Sequence, residues 1–159
     1  MKILSVKLEW ARPIPRRRRE DIRYIVIHHT DSSSAATPQE IHAWHVKRGW
    51  AGCGYHYLAY SDGTVYAARP SLWVPACVHG FNRQSLCVAA VGRFNDYPPS
   101  EPHLRTLAQL VARLQQEYPQ AELLRHKDLN PTACPGNAFP WRAFLEEVSR
   151  YGAHRGRAR

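Results

Sequence analysis

Residues 22–28 of the 159-residue chain read IRYIVIH, a run dense in β-branched and aromatic side chains. Such a run is typical of a strand buried within a sheet. The run leads into two histidines, His28 and His29. Because successive side chains of a strand point to opposite faces, only one of these two rings can reach a common site. The segment therefore predicts a central strand that delivers one imidazole to the end of a sheet.

The sequence beyond this strand alternates between helical and extended patterns. Thr37-Pro38-Gln39-Glu40 predicts a helix start, since Thr37 can cap it and Glu40 completes a capping box, and Gly49 predicts the end of that helix. Further strands are predicted at 55–60, 64–68, 86–91 and 121–125, with Ser61-Asp62-Gly63 as a hairpin turn between the first two. Further helices are predicted at 100–117 and 141–151, the last stopped by Gly152. The order predicts a single α/β domain, a mixed central β-sheet flanked by helices.

Composition excludes several classes of protein. The chain is 44% hydrophobic and 11% aromatic, which argues against disorder. No apolar run approaches the roughly 20 residues of a membrane-spanning helix, and residues 3–6 are too short for the core of a signal peptide. We therefore expect a soluble protein made in the cytoplasm, whose export depends on a partner. The four cysteines form no CxxC pair, which excludes a zinc ribbon or a thioredoxin motif.

The net charge of +9 is concentrated at the two ends. Residues 1–23 carry eight basic and three acidic groups, and residues 153–159 carry three basic groups. The remainder holds eleven basic and ten acidic groups and is close to neutral. Since Pro13 and Pro15 disfavour a helix, we predict a basic, loosely ordered N-terminal arm at 1–21. The domain itself is then 22–152, followed by a basic tail at 153–159.

A second group of metal-ligating residues lies far along the chain. His126 follows the strand predicted at 121–125, and Cys134 comes eight residues later in TACPG. With one histidine of the 28–29 pair, these residues could supply three zinc ligands and leave a fourth position for water, which is the arrangement of a catalytic zinc. Nine histidines offer many chance triads, so the pattern gains its meaning from the longer strings around it.

Four strings occur in one order: IVIHHT (25–30), GYHYLAYSDGTVYAARP (54–70), NRQSLCVAAVGRF (82–94) and HKDLNPTACPG (126–136). Together they resemble the zinc-dependent N-acetylmuramoyl-L-alanine amidases of the type-2 family, which includes phage lysozyme-amidases and animal peptidoglycan recognition proteins. The resemblance covers about residues 22–150. The basic arm and VPACVHGFN (74–82) also resemble compact endolysins of phages that infect Thermus bacteria.

The resemblance implies a set of site residues. His28, His126 and Cys134 match the zinc ligands, and Tyr55 matches the tyrosine beside the zinc-bound water. Thr132 matches a position held by lysine in some phage enzymes and by threonine in catalytic recognition proteins; alternatively, its hydroxyl only caps its own loop. The implied reaction is hydrolysis of the amide between N-acetylmuramic acid and L-alanine. Zn²⁺ would activate water, and Tyr55 and Thr132 would assist the developing oxyanion. No carboxylate in the matched strings is an obvious general base.

Other histidines and aromatic residues are expected to be structural. Strand alternation and helix faces predict hydrogen-bonded core histidines rather than ligands, and large aromatic side chains in the core rather than sugar-stacking platforms. The histidines are His29, His45 and His56, and the aromatic residues are Trp44, Trp50 and Tyr57.

Two cysteines depart from the pattern of the family. Many relatives carry histidine at the position of Cys77 and glycine at that of Cys87, and His79 stands two residues from the first. Cys77 and Cys87 could close a disulfide, or stay reduced in a cytoplasmic protein. Cys53, between two glycines, is expected to be a small buried apolar residue.

The leading hypothesis is a peptidoglycan hydrolase that acts as a phage endolysin in host lysis. It would be made in the host cytoplasm, act on the cell wall after release and work as a monomer. The basic ends would adhere to anionic cell-envelope polymers, or would simply be solvated; no motif indicates nucleic-acid binding. The main alternative is a recognition protein that binds muropeptides without cleaving them, which Cys134 disfavours. A regulator of another protein is a third class.

Overall fold

The computed structural model describes residues 1–157, and the side chains of residues 1–153. Within them lie six strands and three α-helices. The strands are β1 (Lys2–Ser5), β2 (Tyr24–His29), β3 (Tyr57–Ala59), β4 (Thr64–Ala67), β5 (Ser85–Ala90) and β6 (Glu122–Arg125). The helices are α1 (Pro38–Lys47), α2 (Glu101–Glu117) and α3 (Trp141–Arg157).

All six strands form one mixed sheet in the order β1-β4-β3-β5-β2-β6. The predicted central strand β2 lies between β5 and β6 and is parallel to both. β3 is parallel to β5 and antiparallel to β4, with the predicted Ser61-Asp62-Gly63 turn between them. The sheet and its flanking helices confirm the predicted fold class.

The alternation of β2 side chains sorts them between the two faces of the sheet. Ile25 and Ile27 belong to the main core, which α2 and α3 complete. Val26 packs on the opposite face with Cys87 of β5. His28 follows Val26 by two residues and therefore points to the same face, whereas His29 points back toward α2. The site is thus built on the face away from the two long helices.

Two helix starts agree with the sequence, and one helix end does not. Thr37 and Glu40 form the predicted capping box of α1, and Ser100 caps α2. α3 continues past Gly152 to Arg157, because Gly152 does not adopt the left-handed conformation that ends helices. The prediction that the helix ends at Gly152 was therefore wrong. Part of the predicted tail, 153–157, continues this helix, and the rest lies outside the described residues.

The expectation of a loosely ordered arm at 1–21 is also wrong. β1 pairs with β4 at the edge of the sheet. Arg17 is 5% exposed, and its guanidinium donates hydrogen bonds to the carbonyls of Ser71 (2.8 Å) and Ser85 (2.7 Å). Those partners lie 54 and 68 residues away, so no local pattern could reveal them. The segment is part of the folded unit.

None of the helices formed by residues 1–157 is both long enough and apolar enough to span a bilayer.

Candidate metal centre

The two candidate histidine ligands meet because their strands are parallel neighbours. His28 lies near the carboxyl end of β2, and His126 directly follows β6. Ile27 pairs with Arg125 in the sheet register, so His28 and His126 are the next two residues along the two strands. Their ring centroids lie 4.7 Å apart. Sheet topology alone therefore brings together residues 98 positions apart in the chain.

The loop after β6 returns Cys134 to the same place. The carboxylate of Asp128 accepts hydrogen bonds from the backbone N–H and the guanidinium of Arg125, both at 2.8 Å, and this fixes the turn that carries His126. Lys127 N–H then donates to the carbonyl of Cys134 at 3.0 Å. Gly136 follows at φ 109°, and a Cβ there would overlap the carbonyl of Phe94. The loop thus needs glycine at this position.

The three ligand atoms of His28, His126 and Cys134 all lie within 4.8 Å of one another. Nδ1 of His28 is 3.6 Å from Sγ of Cys134. A tetrahedral zinc bound to one nitrogen and one sulfur holds them about 3.5 Å apart, given its usual bond lengths. The observed separation of Nδ1 and Sγ is close to that value, so the donor set fits a zinc ion.

Burial sets the protonation state of each ligand. It lowers the pKa of His28 well below the usual value, with a further contribution from His126, so the ring is neutral and has a lone pair to offer. It raises the pKa of the Cys134 thiol to about 12. The thiolate form that a metal requires is therefore not stable on its own and would form together with metal binding.

Asn130 determines which nitrogen of His126 is free. Its Nδ2 donates to the carbonyls of His79 and Leu129, both at 3.0 Å, which leaves Oδ1 to face Nε2 of His126 at 2.8 Å. Because Oδ1 can only accept, Nε2 must carry the proton. The lone pair of His126 is then on Nδ1. This role of Asn130 could not be predicted from the sequence, because the i, i+4 spacing from His126 is visible there but the contact with the carbonyl of His79 is not.

Two polar residues matched to the family lie beside the candidate ligands. The ring of Tyr55 is 5.2 Å from that of His28, and burial, followed by the charge of Cys134, raises the pKa of its hydroxyl, which stays protonated. Thr132 is exposed, and its Oγ1 accepts a hydrogen bond from Cys134 N–H at 3.2 Å. The threonine thus caps its own loop, as the alternative interpretation had it, and keeps its O–H free to donate.

An open cavity of about 530 Å³ leads to this place. His126, Asn130 and Thr132 form one wall, and the segment around Cys77 and His79 forms the other. Trp50 also lines the cavity, so its assignment to the core was wrong. Of the three candidate ligands, His126 lines this cavity, and the volume of the cavity is in the range of small-molecule binding sites.

The three histidines expected to be structural are so, whereas the aromatic residues expected in the core are only partly there. His29, His45 and His56 each accept a backbone N–H through Nδ1, from Phe94, Gly54 and Cys87, which confirms them as structural. Tyr57 packs against the main core as expected. Trp44 is 42% exposed and does not belong to the core.

Of the three cysteines outside the candidate site, two form a disulfide and one is a free thiol. Cys77 and Cys87 are joined by a disulfide, which links the wall of the cavity to β5. Cys53 is fully buried, as expected.

The sequence of the chain is similar to those of known proteins. The model of the N-acetylmuramoyl-L-alanine amidase family Amidase_2 matches residues 18–137. The endolysin of Escherichia phage T7 is 32% identical over 149 residues, which cover 88% of this chain and 96% of that protein.

Solved structures give the same result. The endolysin LysCS from Clostridium intestinale is 35% identical with a TM-score of 0.85, over 93% of this chain and 95% of that chain. The Ph2119 endolysin from a Thermus scotoductus bacteriophage is 37% identical with a TM-score of 0.79, over 92% and 99%. Drosophila peptidoglycan recognition proteins at 22% and 23% identity share the fold.

Proposed function

The chain belongs to the Amidase_2 family of N-acetylmuramoyl-L-alanine amidases, and we propose that it hydrolyses peptidoglycan with a zinc ion held by His28, His126 and Cys134. The observation that supports zinc is the convergence of these three ligand atoms within 4.8 Å at a cavity. The scissile bond is the amide between N-acetylmuramic acid and L-alanine, the bond that gives the family its name.

A zinc ion at this site would lower the pKa of a bound water to about 7 and polarise the scissile carbonyl. The residues of the chain supply the rest. Tyr55 keeps its proton and can donate to the carbonyl oxygen as negative charge develops there. The oxygen of Thr132 accepts from Cys134 N–H, and its O–H donates to no group among the described residues, so it can add a second hydrogen bond.

The experiment on bond specificity uses purified peptidoglycan. We expect digestion to release new L-alanine amino termini, to require about one zinc per chain, and to stop on chelation. Release of reducing sugars alone would identify a glycosidase instead. Tight binding of muropeptides without cleavage would identify a recognition protein.

The ligand assignment is tested by a matched pair of cysteine variants. Cys134→Ala removes a proposed ligand and should lose both zinc and activity. Cys53→Ala removes a fully buried cysteine that belongs to neither metal-ligating group and should keep both. Both variants are measured with the Cys77–Cys87 disulfide intact, and full zinc occupancy in oxidised Cys134→Ala would refute the assignment.

The biological role that fits this activity is that of a phage endolysin, made in the host cytoplasm and acting on the cell wall after release. The endolysin of phage T7 is similar over 88% of this chain, which supports that role. We further propose that the protein acts as a monomer, which light scattering of the purified protein would test.

The basic N-terminal segment is proposed to hold the enzyme on anionic cell-envelope polymers. Since this segment is folded onto the sheet, the attraction comes from exposed side chains such as Lys2, Lys7 and Arg12 rather than from a loose tail. Replacing these three by glutamine should weaken binding to anionic envelope polymers at low salt. Replacing exposed Arg105 and Arg142 by glutamine should change it less; equal loss in both variants would refute a localised surface.

A further inference from the structure

The disulfide beside the metal ligands has no part in the function proposed above. Cys87 lies on β5 two residues before Ala89, the partner of His28 in the register, and therefore projects from the same face as His28. A ring nitrogen of His28 and the sulfurs of Cys77 and Cys87 all lie within 4.8 Å of one another. His28 thus lies between two groups of metal-ligating side chains, of which only the disulfide pair is blocked by oxidation.

We propose that reduction of the Cys77–Cys87 bond opens a second zinc site, formed by His28 and the two thiolates. A dithiol reductant delivers two electrons and two protons to the bond, giving two protein thiols and the oxidised reductant. Zinc binding then releases the thiol protons. Formation of the second site does not depend on the function proposed above; only its competition with His126 and Cys134 for His28 rests on that function.

The local geometry suits such a site. Two thiolates on a tetrahedral zinc lie about 3.8 Å apart, given Zn–S bonds of about 2.3 Å. Once the disulfide is reduced, the two sulfurs therefore need to move apart only from their bonded distance to this separation. Cys77 lines the cavity, which gives a reductant and a metal ion a route to the pair. One imidazole and two thiolates are an established set of zinc ligands.

The two sites exclude each other, because a neutral imidazole offers a single lone pair. When the disulfide is intact, His28 is available to His126 and Cys134. When it is reduced, the dithiolate site takes His28, and the pair left behind has one ligand too few. The disulfide therefore reserves His28 for the catalytic set, and a reducing compartment would hold the enzyme in a poorly active form.

Cobalt is a suitable probe, because thiolate-to-cobalt absorption increases with the number of thiolates bound. The Cys134→Ala variant isolates the second site. Oxidised, it should bind no cobalt with thiolate absorption; after reduction and anaerobic removal of the reductant, it should bind one cobalt with the absorption of two thiolates. Adding Cys77→Ser and Cys87→Ser should abolish that signal, whereas adding Cys53→Ala should leave it intact.

Activity at limiting zinc gives the second readout. The rate of the otherwise unchanged protein should fall at least tenfold on reduction and recover when a disulfide oxidant restores the bond. The Cys77→Ser, Cys87→Ser double variant should not respond to reductant. The inference is overturned if reduced Cys134→Ala binds no cobalt, or if its cobalt signal survives the two serine substitutions. If the oxidised protein that retains Cys134 binds no cobalt, the proposed ligand set of His28, His126 and Cys134 is refuted. The measurement on Cys134→Ala still decides whether the second site exists.

Discussion

Replacement of Asn130 by alanine tests whether one amide positions a metal ligand. Its Oδ1 accepts from Nε2 of His126 at 2.8 Å, while its own Nδ2 is fixed by the carbonyls of His79 and Leu129. Alanine removes the hydrogen-bond partner of Nε2, so the imidazole of His126 can rotate and populate both neutral tautomers. Only one of them presents Nδ1 as a lone pair.

The expected loss follows from what such supporting hydrogen bonds contribute. Removing the partner of a metal-bound histidine typically costs 10- to 100-fold in metal affinity, equivalent to about 1.4–2.8 kcal/mol. We therefore expect the zinc dissociation constant of Asn130→Ala, measured by competition with a chelator, to rise by that factor. Asn137→Ala is the matched control, because Asn137 is exposed on the same loop and should leave the constant unchanged.

The neutral tautomer of His126 can be measured directly, and a general loss of stability would not change it. Nitrogen-15 chemical shifts of the metal-free protein should show His126 protonated at Nε2, and Asn130→Ala should show a mixture of the two forms. An unchanged dissociation constant together with an unchanged tautomer would refute the positioning role.

Three further outcomes are expected. Tyr55→Phe should keep its zinc but lose roughly 10²- to 10³-fold in kcat, since it loses a donor to the oxyanion; unchanged turnover of muropeptides would contradict this role. Burial lowers the pKa of His45 to about 4 and of His56 to about 3, from 6.5, so the unfolded chain binds more protons below pH 6.5. As the pH falls from 6 to 4.5, these two histidines alone should lower the free energy of unfolding in chelator by up to about 2.7 kcal/mol per pH unit. A denaturant midpoint that stays constant over this range would exclude the linkage. Arg17→Ala should lower the free energy of unfolding by about 3 kcal/mol, because it leaves buried carbonyls unpaired. Exposed Arg18→Ala should lower it by less than about 1 kcal/mol. Equal effects of the two substitutions in denaturant titrations would show that the N-terminal segment is not part of the folded domain.

Much of the fold could be predicted because its signals are local. The β-branched run of β2, the capping box at Thr37 and the turn at 61–63 each act through bonds between residues close in sequence. The two errors at the ends have different causes. β1 and Arg17 are held by partners more than 50 residues away, and Gly152 could stop a helix only if the chain turned there.

The sequence by itself determined the chemical types present: the strand that carries His28, the loop that carries His126 and Cys134, and the resemblance that relates them. Only the tertiary structure decided which atoms face one another. Parallel pairing of β2 with β6 brings the two imidazoles together, and the amide of Asn130 assigns the proton of one of them. The register of β5 places the Cys77–Cys87 bond beside His28. A strand specifies the direction of its own side chains, but the distance to another strand depends on pairing between distant segments, which no local pattern encodes.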